Sequence, residues 1–266
     1  MIYEAFMFLN EFDMLDLKLQ EHGPYVDKFI ITESNRNFNQ IEKPYIFMEQ
    51  YDRYQKYHDK IIYQKFDATN YKIGWDTQNA QRSYLNSEII FKPDDIIISS
   101  DLDEFLLPKD WDWLKEQDLK KINHEIKFRS VNFIGFANFL CPDYFQGLMV
   151  IPGHLFKSMS YHRDIFFYEG NKTVRREREK IYVNGGVHLS WFGNNLQFKE
   201  KFNGIIETNT WTKLGKTDFK ESKLARKKGK LFSFKHKKSI YISLDENIYF
   251  SSSMKKFISR QKDWLV

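Results

Sequence analysis

Up to residue 104, short apolar runs alternate with segments whose apolar residues recur at helical spacing. Residues 2–9 form the first run and predict a strand. Met14, Leu15, Leu17 and Leu19 then fall near helical spacing, and Gly23-Pro24 ends that helix. Residues 26–32 predict a second strand, followed by a polar loop over 33–37. An apolar piece at 45–47 and an aromatic, helical-looking stretch at 51–58 lead to a third strand over 60–66. Residues 75–91 predict a helix with Ala80, Tyr84, Leu85 and Ile89 as its apolar positions, and residues 94–100 a fourth strand. Strands alternating with helices imply an α/β fold, a mostly parallel central sheet flanked by helices. No Gly-X-Gly-X-X-Gly follows the first strand, which argues against a dinucleotide site.

The pattern changes after Asp110. Residues 111–119 predict a helix, 125–139 and 145–151 read as strand-like, 170–179 as a charged loop and 197–209 as a helix. The chain beyond 214 is basic, with nine lysines and arginines between 220 and 238. A domain over 1–214 with a basic extension, 215–266, packed on it is the expected organisation. The basic run reads as a solvated surface or as a contact with an anionic membrane, and no nucleic-acid module accompanies it.

Composition adds limits. The 266 residues are 42% apolar, enough for a substantial core. No apolar run reaches the roughly 20 residues that span a bilayer, and no secretory signal is visible, so a cytoplasmic protein is expected. Cys141 is the sole cysteine and reads as a small buried hydrophobe.

Candidate chemistry centres on Asp101-Leu102-Asp103-Glu104, directly after the apolar Ile96-Ile97-Ile98. Ligands of open α/β sheets bind outside the carboxyl ends of strands, which is where these acids would lie. In an extended chain Asp101 and Asp103 would point the same way, and oxygen ligands suit Mg²⁺ or Mn²⁺. The plain alternative is a solvated acidic turn.

Several segments, in order, resemble glycosyltransferase family 17. They are Phe8-Leu9-Asn10-Glu11-Phe12-Asp13-Met14-Leu15, Val26-Asp27-Lys28-Phe29-Ile30-Ile31-Thr32-Glu33-Ser34-Asn35, Lys43-Pro44, Gln81-Arg82, the acidic segment ending at Glu104, and Gly186-Val187-His188-Leu189-Ser190-Trp191-Phe192-Gly193. The resemblance implies a GT-A-type fold, a UDP-sugar donor (GlcNAc as the best guess), Mn²⁺ or Mg²⁺, inversion at the anomeric carbon, and a glycan or glycolipid acceptor. On that reading Asp103 binds the metal, Asp101 binds it through water or contacts the ribose, and Glu104 orients either. His188 completes the shell, the alternative being a core histidine. Asn10, Asp13, Glu33 and Ser34 are candidates for nucleotide contacts or for caps, and Arg82 for the diphosphate or a local ion pair. Trp191 and Phe192 would stack on sugar or pack in the core. Glu207 ranks first as the catalytic base, with Asp164 and Glu169 behind it. Arg175, Arg176 and Arg178 would close over phosphates or form a solvated strand. A metal-dependent hydrolase and a non-catalytic sugar- or nucleotide-binding module are the rival readings.

Overall fold

The structure is a computed structural model and describes residues 1–163, 166–169, 172–175, 180–204 and 240–265, with backbone alone at 166–169 and 172–175. Glu207, Asp164, Arg176, Arg178 and the basic run at 220–238 lie outside the described residues.

The N-terminal half is a parallel sheet. Strand β1 (Ile2–Phe8) lies between β2 (Lys28–Ser34) and β4 (Ile96–Ser99), and β3 (Ile61–Phe66) joins the outer edge of β2. Helix α1 (Phe12–His22) makes the first crossover, and α2 (Trp75–Tyr84) precedes β4. A 3-10 stretch (Phe47–Lys60), broken at Tyr54, takes the place of the helix expected between β2 and β3. Ala5, Phe6, Phe29, Ile30, Ile97 and Ile98 are fully buried, as continuous apolar strands covered on both faces should be.

Beyond β4 the sheet becomes antiparallel, so the mostly parallel sheet expected from the sequence is in fact mixed. Following β5 (Glu104–Phe105) and α3 (Pro108–Glu116), β6 (Glu125–Ile134) runs antiparallel to both β7 (Phe139–Phe145) and β8 (Met149–Pro152). Strand β8 in turn pairs antiparallel with β4 and joins the halves. Residues 135–138 are enough to turn β6 back into β7 as a hairpin, whereas a parallel return needs a crossover of a dozen or more.

Helix α4 (Met159–Arg163) follows, then the short ribbon of β9 (Phe166–Glu169) and β10 (Lys172–Arg175). Strand β11 (Lys180–Ser190) lies parallel to β6 and also pairs with β5. Helix α5 (Asn195–Gly204) comes next. Residues 240–265 return to the body. There β12 (Ile240–Tyr241) extends β7, and α6 (Ser252–Ile258) buries Met254 and Ile258. Trp264 packs its ring on Phe192 with centroids 5.4 Å apart, so Phe192 is core rather than a sugar platform. No helix among the described residues is long and apolar enough to cross a membrane.

A charged network is sealed beneath β4. Glu4, Lys18 and His22 are all fully buried. Lys18 Nζ donates to Glu4 Oε1 at 2.9 Å, to Ser100 Oγ at 3.4 Å and to the Glu104 carbonyl. The Leu106 N–H donates to His22 Nε2 at 3.0 Å, so the ring proton sits on Nδ1 and is donated to Glu4 Oε2 at 2.6 Å. Burial alone would raise the Glu4 carboxyl, but His22 and Lys18 outweigh it and hold it at about 2. Burial pushes His22 down, keeping it neutral.

Both groups have lowered folded-state values, so their contribution is complete at neutral pH and is lost on acidification. For Glu4 the loss runs from its ordinary 4.5 down to about 2 and amounts to about 3 kcal/mol. The urea midpoint is therefore expected to fall steeply below pH 4.5, with a shallower slope in Glu4→Gln. Parallel slopes in the two proteins would contradict this.

Candidate active site

The chain leaves β4 through Ser100 and turns at once. The Glu104 N–H donates to the Asp101 carbonyl at 3.1 Å, which closes a tight turn over Asp101-Leu102-Asp103-Glu104. Asp101 and Asp103 are therefore positions of a turn, not the alternate residues of an extended chain expected from the sequence. Both still reach the same cavity, because Leu102 is buried as the anchor between them.

Each acid has its own cation. Asp101 Oδ2 is 2.5 Å from Arg163 and its Oδ1 is 3.4 Å from Arg82. Burial would raise Asp101, but Arg163 and Arg82 hold it below its ordinary value. Asp103 Oδ2 lies 3.0 Å from Lys201 Nζ and Oδ1 lies 3.5 Å from His188 Nε2. Burial opposes ionisation here too, but Lys201 and His188 hold the carboxyl far below the usual carboxylate range. Glu104 is fully buried, takes Arg163 Nη1 at 2.8 Å and accepts the Asp101 N–H at 2.8 Å. For Glu104 burial dominates, and its carboxyl is pushed up despite Arg163. Arg163 is thus a buried strut between Asp101 and Glu104, and Glu104 braces the turn from below.

His188 reaches the cavity through a β-bulge. The β11–β6 register shifts between Asn184 and Val187, where Gly186 has φ +76°. A Cβ there would stand 2.7 Å from the Phe105 carbonyl oxygen, so the bulge needs glycine. The His188 ring stacks on Phe145 with centroids 3.8 Å apart. Its Nδ1 is 3.0 Å from Asn132 Oδ1, which accepts the Nδ1 proton and turns Nε2 towards Asp103.

The cavity is about 760 Å³. Ser34, Arg36 and Lys43 line it at the β2 end, Asp101, Asp103 and Lys201 at its middle, and Asn132, Asp143, Phe145 and His188 on the β6, β7 and β11 wall. Trp191, held at φ +66°, also lines it, as does the half-buried Cys141.

The fit to a divalent ion is one of donor type. Asp101 and Asp103 offer carboxylate oxygens and His188 an imidazole nitrogen oriented by Asn132, a set suited to Mn²⁺ or Mg²⁺. Asp103 and His188 are close enough to share one ion, although Asp101 is turned towards the arginines, and no three such groups converge among the described residues.

Of the sequence candidates, the structure brings Ser34, Asp101, Asp103, His188 and Trp191 to the cavity. Arg82 makes the ion-pair alternative real through Asp101. Glu33 does not line the cavity. Neighbours on a strand face opposite ways, and Glu33 accepts from Lys43, the Ile46 and Phe47 N–H groups and Tyr63 instead. Asp13 pairs with Arg53, and the Asn10 amide donates to Glu200, so neither of these lines the cavity. His162 is a core histidine whose Nδ1 lies 2.5 Å from Glu125. Arg163, Lys201, Asn132, Asp143 and Phe145 had no signal in the sequence beyond their residue types.

Comparison with known proteins gives three findings. The family model described as glycosyltransferase family 17 matches residues 1–144, covering the acidic turn and ending before His188. The β-1,4-mannosyl-glycoprotein 4-β-N-acetylglucosaminyltransferase of Homo sapiens is 29% identical over 105 residues, 36% of this chain and 20% of that protein. That of Rattus norvegicus gives the same figures, so this chain covers about a fifth of the length of both relatives. The glycosyltransferase GlyE of Streptococcus pneumoniae TIGR4 aligns over 57% of this chain and 34% of its own at 12% identity, with a TM-score of 0.29.

Proposed function

The chain belongs to glycosyltransferase family 17, and on that premise we propose that it is a metal-dependent, inverting transferase of GT-A type that moves a sugar from a UDP-sugar to a glycan or glycolipid hydroxyl. GlcNAc is the proposed sugar, following the named activity of the human and rat relatives. The observation that carries the reading is the braced turn at the carboxyl end of a parallel strand, with Asp103 and His188 facing a large cavity beside Lys201.

In this reading the nucleoside lies at the β1–β2 end near Ser34. The diphosphate lies over the acidic turn, where Asp103 and His188 would hold Mn²⁺ or Mg²⁺ directly and Asp101 would reach it through water. When bound, the ion would supply Lewis-acid stabilisation for the charge that grows on the leaving diphosphate. Lys201 adds a cation on the same wall, and Arg163 with Glu104 keeps the turn from shifting as that charge develops. The hydrolase reading is weaker, because Asp101 and Asp103 are each held by cations instead of being set across a space for a scissile bond.

A thermal-shift screen of nucleotide sugars with and without Mn²⁺ tests the donor. A UDP-sugar with Mn²⁺ is expected to raise the melting temperature, since a ligand that binds only the folded state stabilises it by mass action. If no UDP-sugar shifts the protein while Mn²⁺ is present, the donor assignment fails.

A further inference from the structure

We propose that Lys201 competes with the metal for Asp103 and is drawn off by the nucleotide's diphosphate, so that nucleotide and metal bind cooperatively, a role that rests on the functional reading above. Two observations carry it, the contacts of Lys201 and its freedom to leave them.

Both oxygens of Asp103 are engaged. Oδ2 accepts from Lys201 Nζ at 3.0 Å, and Oδ1 faces His188 Nε2 at 3.5 Å. Asp103 is buried, so water screens the ammonium beside it only weakly. A divalent ion held by Asp103 and His188 would therefore share its carboxylate with a second cation, a like-charge contact that weakens its binding. The same position sets Lys201 beside the phosphates that such an ion would bind.

Lys201 is unlike the other cations of the acidic turn. Arg163 spans Asp101 and Glu104 and is 6% exposed, and Arg82 is 8% exposed, so both are fixed as braces. Lys201 carries its charge on a long flexible stem, lines the cavity and is 20% exposed. Glu11, 3.5 Å from Nζ and also on the cavity wall, keeps the ammonium close when it leaves Asp103. Helix α5 has other anchors. Phe198 and Phe202 are buried, the Phe38 N–H donates to the Gly204 carbonyl at 3.1 Å, and the Asn39 amide donates to the Asn203 carbonyl at 2.6 Å.

A diphosphate offers Lys201 anionic oxygens in exchange for Asp103. When Lys201 turns to them, the Asp103 carboxylate is released for the ion and the like-charge contact is relieved. By linkage, whatever UDP adds to the affinity for Mn²⁺, Mn²⁺ adds to the affinity for UDP.

Calorimetric titrations of Mn²⁺ alone, and of UDP at saturating Mn²⁺, test this in the wild type, Lys201→Met, Lys201→Gln and Lys201→Arg. Lys201→Met keeps much of the side chain's length and removes its charge. It is expected to bind Mn²⁺ alone about tenfold more tightly, and UDP about tenfold more weakly, than the wild type. Lys201→Gln, also neutral, is expected to give the same two signs, so the result does not depend on one variant folding. Lys201→Arg keeps the charge, and its affinity for Mn²⁺ alone is expected to stay within a few-fold of the wild type. The opposite signs are the signature, because a residue that only held α5 in place would weaken both ligands when removed. Weakening of both, or an unchanged affinity for either, in the neutral variants overturns the proposal. Tightening of Mn²⁺ in Lys201→Arg as large as in Lys201→Met also overturns it, since the charge would not be the cause. If the wild type binds no UDP with Mn²⁺ present, it is the functional reading that fails, and Lys201 has no diphosphate to meet.

Discussion

Asp103→Asn is expected to lower Mn²⁺-dependent UDP release about a thousandfold, equivalent to about 4 kcal/mol of lost transition-state stabilisation. The substitution keeps the shape of the side chain and removes the one carboxylate that faces His188 Nε2 across the cavity. On the proposed mechanism it removes a ligand charge from the place where the leaving diphosphate would gather its own. The fold is expected to survive. Lys201, which loses its nearer partner, keeps Glu11 at 3.5 Å and is 20% exposed, so water shares its charge. The predicted signature is thus a large fall in turnover with a small change in the urea midpoint. Equal falls in both would make Asp103 a structural acid.

Lys18→Met is expected to have the largest effect on stability, about 3–5 kcal/mol by urea denaturation. A methionine fills much of the same volume but leaves the Glu4 carboxylate buried without its cation. It also strips a donor from the Glu104 carbonyl and from Ser100, the two ends of the acidic turn. The double substitution Glu4→Gln/Lys18→Met should recover part of the loss, because removing both charges is cheaper than stranding one. Purely additive losses would show that the pair is not coupled. A weaker donor shift in Lys18→Met, measured where the protein is still folded, would show that the buried network also positions the turn.

The two predictions mark where the sequence is legible and where it is not. The parallel half could be read because strands covered on both faces appear as unbroken apolar runs, and Ile96-Ile97-Ile98 before two aspartates marks a strand end that opens on the cavity. His188 was marked by its glycines and by the resemblance of residues 186–193 to the family, and the bulge at Gly186 explains why a glycine is needed there. The antiparallel half was less legible. Its hairpins are set by loop lengths, and residue 138 ends a turn where the sequence alone continued a strand. Glu33 was misplaced because the strand alternation that brings Ser34 to the cavity turns Glu33 away from it. Arg163 and Lys201 are single basic residues among 41, and nothing local separates them from surface charges. Their roles come from helices that bring them to Asp101 and Asp103 from about 60 and 100 residues away in sequence.

Calorimetric titration of UDP into the wild-type protein, once with Mn²⁺ and once with a chelator, tests the central claim most directly. If the acidic turn with His188 binds a metal that in turn binds a diphosphate, UDP binds with Mn²⁺ and weakens at least tenfold in the chelator. Equal affinity in both titrations, or no binding in either, would contradict it.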